Sequence, residues 1–204
     1  MNLSLIANDS NSTKQVQRSK FNDASLATEL SMTNTHSSPA VKTPSFDTRN
    51  IRHWLAYGFG SGLSPWAPGT AGTLIAVPIY LLLSALPLLA YLAVLAVMIA
   101  AGIWACSAAA QDLGADDPPA IVWDEIVGFL IAMMAAPAGW IWVITGFLLF
   151  RAFDIFKPWP ISLVDARTRG GLGIMLDDIV AGLMSFAVLQ FLAMIVEASL
   201  RGAH

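Results

Sequence analysis

Charge is scarce in this 204-residue chain. Asp, Glu, Lys and Arg make up 12% of it, about half the share usual in a soluble domain. Between Arg52 and Asp112 there is no charged residue at all. A surface so poor in charge cannot lie mostly in water, which excludes a soluble enzyme. The 11 Lys and Arg are outnumbered by 14 Asp and Glu and form no cluster, so nothing here would neutralise phosphates along a duplex, and nucleic acid is excluded as a partner. Cys106 is the single cysteine, which leaves neither a disulfide framework nor a thiolate metal cage. Histidine is nearly absent too. His36, His53 and His204 stand outside every motif described below, so a histidine nucleophile is excluded. A cysteine nucleophile is excluded as well, because Cys106 is followed by Ser-Ala-Ala-Ala-Gln-Asp and not by an Arg-bearing phosphate loop.

What the chain has instead is apolar sequence, 56% of all residues, with a mean hydropathy of +0.63. Five apolar segments follow Ile51: about Ala71–Leu86, Leu88–Ala110, Ile121–Ala136, Trp140–Ile155 and Ile179–Leu200. Runs of this kind read as membrane spans. Pro87 parts the first two, and Pro137-Ala138-Gly139 makes a short antiparallel connection between the third and fourth. The expected fold is therefore all-α, a polytopic integral membrane helical bundle of about five apolar helices occupying residues 51–204. Residues 1–50 are different material: 21 of them are Ser, Thr or Asn. Such a segment buries too little apolar surface to offset its ordering entropy, and we expect a disordered polar tail.

Lys and Arg orient the bundle. Arg52, Lys157, Arg167 and Arg169 fall on one side, with the tail, and the turns at Pro87 and Pro137–Gly139 carry no charge. That side is expected to be cytoplasmic, and every unusual polar motif gathers on it. Gly58–Gly72 is a loop of small residues entering the first segment, in which Ser64 and Thr70 either bind phosphate oxygens or cap the helix. The same glycines also suit plain helix packing. Asp124-Glu125 and Asp177-Asp178 interrupt apolar sequence at the starts of two segments, where carboxylates complement a helix dipole. Asp154 sits at the other end of its segment, where the dipole opposes it, and Arg151 three residues earlier is its natural ion-pair partner.

Carboxylates beside lipid are costly, so their convergence on one face points to a metal centre formed by Asp124, Glu125, Asp154, Asp177 and Asp178. An oxygen-only donor set suits Mg²⁺, or Mn²⁺. Lys157 is either a phosphate contact or an inside-positive anchor, with Trp159 beside it suited to the headgroup interface. Gly170–Met175 is a flexible run that lets the backbone approach a ligand or turns the chain. Metal-assisted hydrolysis with water as nucleophile survives this elimination. In that chemistry Asp124, Glu125, Asp177 and Asp178 are the catalytic carboxylates, and Ser64, Thr70, Arg151 and Lys157 hold phosphate. The alternative is a small membrane ion transporter using the carboxylates as a cation site, although transporter sites usually lie at the bilayer midplane.

Gly58–Gly72, Ile121–Gly128, Phe150–Ile161 and Gly170–Gly182 together resemble the bacterial phosphatidylglycerophosphatase A family, in the same order and over essentially all of Ile51 to about Leu200. The polar segment before Ile51 departs from that family's short N-terminus. The resemblance implies a Mg²⁺-dependent lipid phosphatase of the bacterial inner membrane. Its phospholipid substrate would be phosphatidylglycerophosphate, and its products phosphatidylglycerol and inorganic phosphate.

Overall fold

The computed structural model describes residues 47, 49–168 and 170–202. The polar segment 1–50 thus lies outside the described residues except for Asp47, Arg49 and Asn50, as do Arg169 and His204. Among the described residues every regular element is helical: α1 (Ile51–Ala56), a 3₁₀ segment (Gly58–Leu63), α2 (Pro68–Leu83), α3 (Leu88–Leu113), α4 (Trp123–Ala132), α5 (Trp140–Phe156), α6 (Ile161–Arg167) and α7 (Gly170–Gly202).

Prolines and glycines place the boundaries. Pro68 opens α2, where its missing N–H has no intrahelical partner to lose. Pro87 precedes α3, and Gly114, in the left-handed region at φ 69°, closes it. The five apolar segments are all present as helices, but only two are long and apolar enough to cross a membrane: α3 with 26 residues and α7 with 33. Their most apolar stretches are only 22% and 28% buried, unlike the core helix of a soluble protein. With 16 and 17 residues, α2 and α5 reach about 25 Å, short of a hydrocarbon core of about 30 Å.

The third segment differs most from expectation. Instead of Ile121–Ala136, α4 is helical for ten residues, and nearly all of them are buried. It ends because Ala135 adopts φ 51° and Pro137 follows. Met133, Ala135 and Ala136 complete the passage in turns and meet Leu86 and Leu88 at the far end of the bundle. The uncharged turns at Pro87 and Pro137–Gly139 therefore share one end, as the sequence predicts. α4 is the centre of the core. It packs most extensively against α7, the Trp123 indole N–H donates to the Met98 carbonyl of α3 at 3.0 Å, and the Tyr91 hydroxyl donates to the Leu130 carbonyl at 2.6 Å.

The glycine run before Asp177 is helical and not a loop. It forms the first turns of α7, which starts nine residues earlier than the sequence suggests. Packing is the reason. A Cβ on Gly171 would collide with the Ser107 side chain and the backbone of α3, so glycine is what lets the two long helices touch.

Candidate active site

At the end of the bundle opposite those turns lies a cavity of about 230 Å³. The start of α2 supplies Ala67–Thr70, the loop before α4 supplies Asp117, Pro119 and Ile121, and α4 itself supplies Asp124 and Glu125. The end of α5 contributes Arg151, Asp154 and Lys157, and α7 contributes Asp177 and Asp178. Eight of the nine residues marked out by sequence therefore meet on one wall. Ser64 is the ninth. It caps the 3₁₀ segment and does not line the cavity. His53 lies elsewhere, its Nδ1 accepting from the Asp47 N–H at 3.1 Å and its Nε2 3.6 Å from Asp112.

The five acids expected around one cation divide into two groups. Asp124, Glu125 and Asp178 each offer an oxygen, all within 4.8 Å of one another. Asp154 and Asp177 are held by bases instead. Asp154 accepts from the Arg151 guanidinium one helical turn away and also faces Asp178. Asp177 accepts from Lys157 Nζ at 2.7 Å, and Asp165, on α6, accepts from the same ammonium at 2.8 Å. Sequence spacing shows which acids share a face but not which of them a neighbouring cation takes.

The Lys157 contact depends on an unusual backbone. Lys157 ends α5 in the left-handed region, φ 41° and ψ 55°, and this swings its side chain toward α6 and α7. Burial acts against its charge, but the hydrogen bonds it donates to Asp165 and Asp177 outweigh that and raise its pKa above the ordinary lysine value. Asp117 is pushed the other way from a comfortable carboxylate. Burial raises its pKa, Lys157 lowers it, and Asp165 and Asp154 raise it further.

Two close approaches set the geometry. Gly69, in the first turn of α2, has Glu125 Oε1 and the Arg151 guanidinium where its Cβ would be. A Cβ on Gly182 of α7 would strike the Gly128 carbonyl of α4. Gly128 and Gly182 lie four residues after Asp124 and Asp178, so one turn beyond the acids the two backbones touch, and this sets the acids' separation. The sequence signal was the shared pattern Asp-x-x-x-Gly in Asp124–Gly128 and Asp178–Gly182. Asp117, the other residue missed, was marked only by its place before Pro118-Pro119 in an apolar chain.

The residues fit a divalent cation. Asp124 Oδ1, Glu125 Oε2 and Asp178 Oδ2 are buried oxygens with no hydrogen-bond partner, as is Asp177 Oδ1. Six carboxyl groups line the cavity against two cationic side chains, and a buried excess of that size is relieved by protons or by a cation, for which these oxygens are suitable donors.

Fold and site together define a helical protein with apolar exposed faces and a buried carboxylate cluster, able to hold a cation, in a cavity that two basic side chains also line. The chain belongs to the phosphatidylglycerophosphatase A family, whose model matches residues 54–193. It is 48% identical over 144 residues to phosphatidylglycerophosphatase A of Escherichia coli (strain K12), covering 70% of this chain and 84% of that protein. The Haemophilus influenzae protein of the same name is 42% identical over 144 residues, 68% of this chain and 86% of its own length. A Bacteroides thetaiotaomicron protein named "Putative phosphatidylinositol-3-phosphatase" is 42% identical over 157 residues, 73% of this chain and 95% of that one. No solved structure matches the chain.

Proposed function

We propose that this chain hydrolyses phosphatidylglycerophosphate to phosphatidylglycerol and inorganic phosphate. The reaction would be assisted by Mg²⁺, in a multi-pass protein of the bacterial inner membrane with the cavity facing the cytoplasm. The relatives' names give the substrate. The observation that carries the mechanism is the convergence of Asp124, Glu125 and Asp178, each of which also has one buried oxygen without a hydrogen-bond partner, in a cavity that Arg151 and Lys157 line.

In this reading Asp124, Glu125 and Asp178 would hold the cation, and the chemistry it would supply there is neutralisation of phosphoryl charge and a lowered pKa for water. Arg151, Lys157, Thr70 and the backbone N–H groups of Gly69 and Thr70, free of intrahelical acceptors at the start of α2, receive the phosphate oxygens. Asp154 orients Arg151, and Asp165 and Asp177 orient Lys157. Asp177 Oδ1, the oxygen not engaged by Lys157, accepts the proton of the attacking water. A P–O bond to water forms, the P–O bond to glycerol breaks, and the proton that the water gave up to Asp177 ends on the leaving glycerol oxygen. Membrane residence is supported by the apolar side chains that α2, α3, α5 and α7 expose, among them Leu82, Leu89, Leu148 and Phe191.

The test is phosphate release from the lipid by the purified protein. Mg²⁺ should be required, EDTA should abolish release, and Asp124→Asn or Asp178→Asn should each lower it by at least about a hundredfold. Hydrolysis indifferent to chelation and to both substitutions would defeat the mechanism. Cation flux through liposomes without any hydrolysis would restore the transporter alternative.

A further inference from the structure

Most exposed apolar side chains of the bundle are aliphatic, but three of the most exposed stand at the cavity end and are aromatic: Trp66, Phe156 and Trp159, which are 94%, 81% and 77% exposed. The three stand on two sides of the cavity wall. Trp66 directly precedes Ala67–Thr70, and Phe156 and Trp159 flank Lys157 and Pro158. Their backbones are stiff, since Pro65 precedes Trp66 and Trp159 lies between Pro158 and Pro160.

These side chains do not stand in water by accident of composition. On α5, Trp140 and Phe156 mark the two ends of the helix, 16 residues or about 24 Å apart. The exposed residues between them include Ile141, Ile144, Leu148 and Ile155. An aliphatic face that ends in exposed aromatics beside the cavity is the pattern of a surface that leaves hydrocarbon for a headgroup layer, where amphipathic rings are most stable.

We infer that Trp66, Phe156 and Trp159 form an aromatic rim seated in the headgroup layer of a phospholipid bilayer, holding the cavity mouth at the depth of the lipid phosphate. The occupant of this surface is the bilayer itself. The inference rests on the proposed lipid phosphatase reading and adds that substrate is taken from the plane of the membrane, with the rim and not the cavity responsible for that preference. A phosphomonoester dissolved as a monomer reaches the same cavity without needing the rim.

Two measurements on the full chain in phosphatidylcholine vesicles decide it. The first is tryptophan quenching by phosphatidylcholines brominated either near the headgroup or deep in the acyl chain. The fluorescence lost on Trp66→Phe and on Trp159→Phe should be quenched more by the shallow bromines. The second is hydrolysis of a long-chain substrate in the vesicles against a short-chain, monomeric analogue in detergent. Trp66→Ala, Phe156→Ala and Trp159→Ala should each lower the first by about tenfold, the scale of removing one aromatic's partition energy. Each should leave the second within about twofold, which also shows that the variants fold. The inference is overturned if Trp66 and Trp159 are untouched by either brominated lipid or quenched best by the deep one, or if both substrates lose activity equally or neither does. If the native chain hydrolyses neither substrate, the phosphatase reading fails, and the quenching pattern alone still upholds or rejects the rim.

Discussion

Lys157 adopts a left-handed conformation that costs a non-glycine residue about 1 kcal/mol or more, and it retains that conformation while held between Asp165 and Asp177. Lys157→Met removes the ammonium and leaves the Asp177 carboxylate buried without it. The stability loss should be about 1–2 kcal/mol, below the figure for a fully buried pair because Lys157 keeps 29% of its side chain exposed. Phosphate release should fall by about tenfold or more, seen mainly as a raised KM, if Lys157 binds substrate oxygens as proposed. Asp117 should behave in the opposite way. Its folded pKa lies above its ordinary value of 3.8, first because it is buried, so the folded state binds its proton more tightly than the unfolded state does. Below pH 3.8 this group costs the fold nothing, and the cost grows as pH rises through the raised value. Asp117→Asn should therefore raise Tm at pH 7, with the gain shrinking as the pH is lowered toward 3.8. At this scale the sequence was informative where physics makes a residue conspicuous. Charges embedded in apolar runs exposed Asp124, Glu125, Arg151 and Asp178, since each is expensive there unless used. Sequence could not show that Asp177 belongs to Lys157, because that contact needs α6 and α7 folded around a left-handed residue.

The α4–α7 crossing carries the carboxylate cluster, and its tightness comes from two glycines. Gly182→Ala would place a methyl group against the Gly128 carbonyl, forcing the helices apart one turn from Asp124 and Asp178. Overpacking of this kind costs about 1–3 kcal/mol. The expected outcome is a lower Tm together with a weakened Mg²⁺ requirement curve, the half-saturating Mg²⁺ concentration moving upward as the donor oxygens separate. Leu183→Ala on the exposed face of the same helix should leave that curve in place, which separates crossing distance from general helix damage. Element order was legible from the apolar runs, because Pro87 and Pro137 interrupt them chemically. Element ends were less so. α4 stops early because Ala135 is left-handed and Pro137 follows, which leaves Met133–Ala136 to turn. α7 starts early because Gly171 is needed against Ser107, whereas glycines in a sequence read as a loop.

At the scale of the molecule, the site and the helices that position it lie between Asn50 and Gly202, and the family match falls inside that range, at residues 54–193. The first forty residues are rich in Ser, Thr and Asn. Composition alone marked that change of material, since a segment with so few apolar residues has nothing to contribute to a core. Removing residues 1–40 keeps Asp47, whose backbone N–H binds His53, and Asn50, whose side chain caps α1. The shortened protein should therefore still require detergent for extraction, because the exposed faces of α3 and α7 are unchanged. It should release phosphate from the lipid within about twofold of the full chain if, as its composition suggests, the polar segment takes no part in the site. A loss of tenfold or more in that assay, with membrane extraction unaltered, would mean that the polar segment takes part in catalysis or substrate capture, and that the cavity between α2, α4, α5 and α7 is not sufficient by itself.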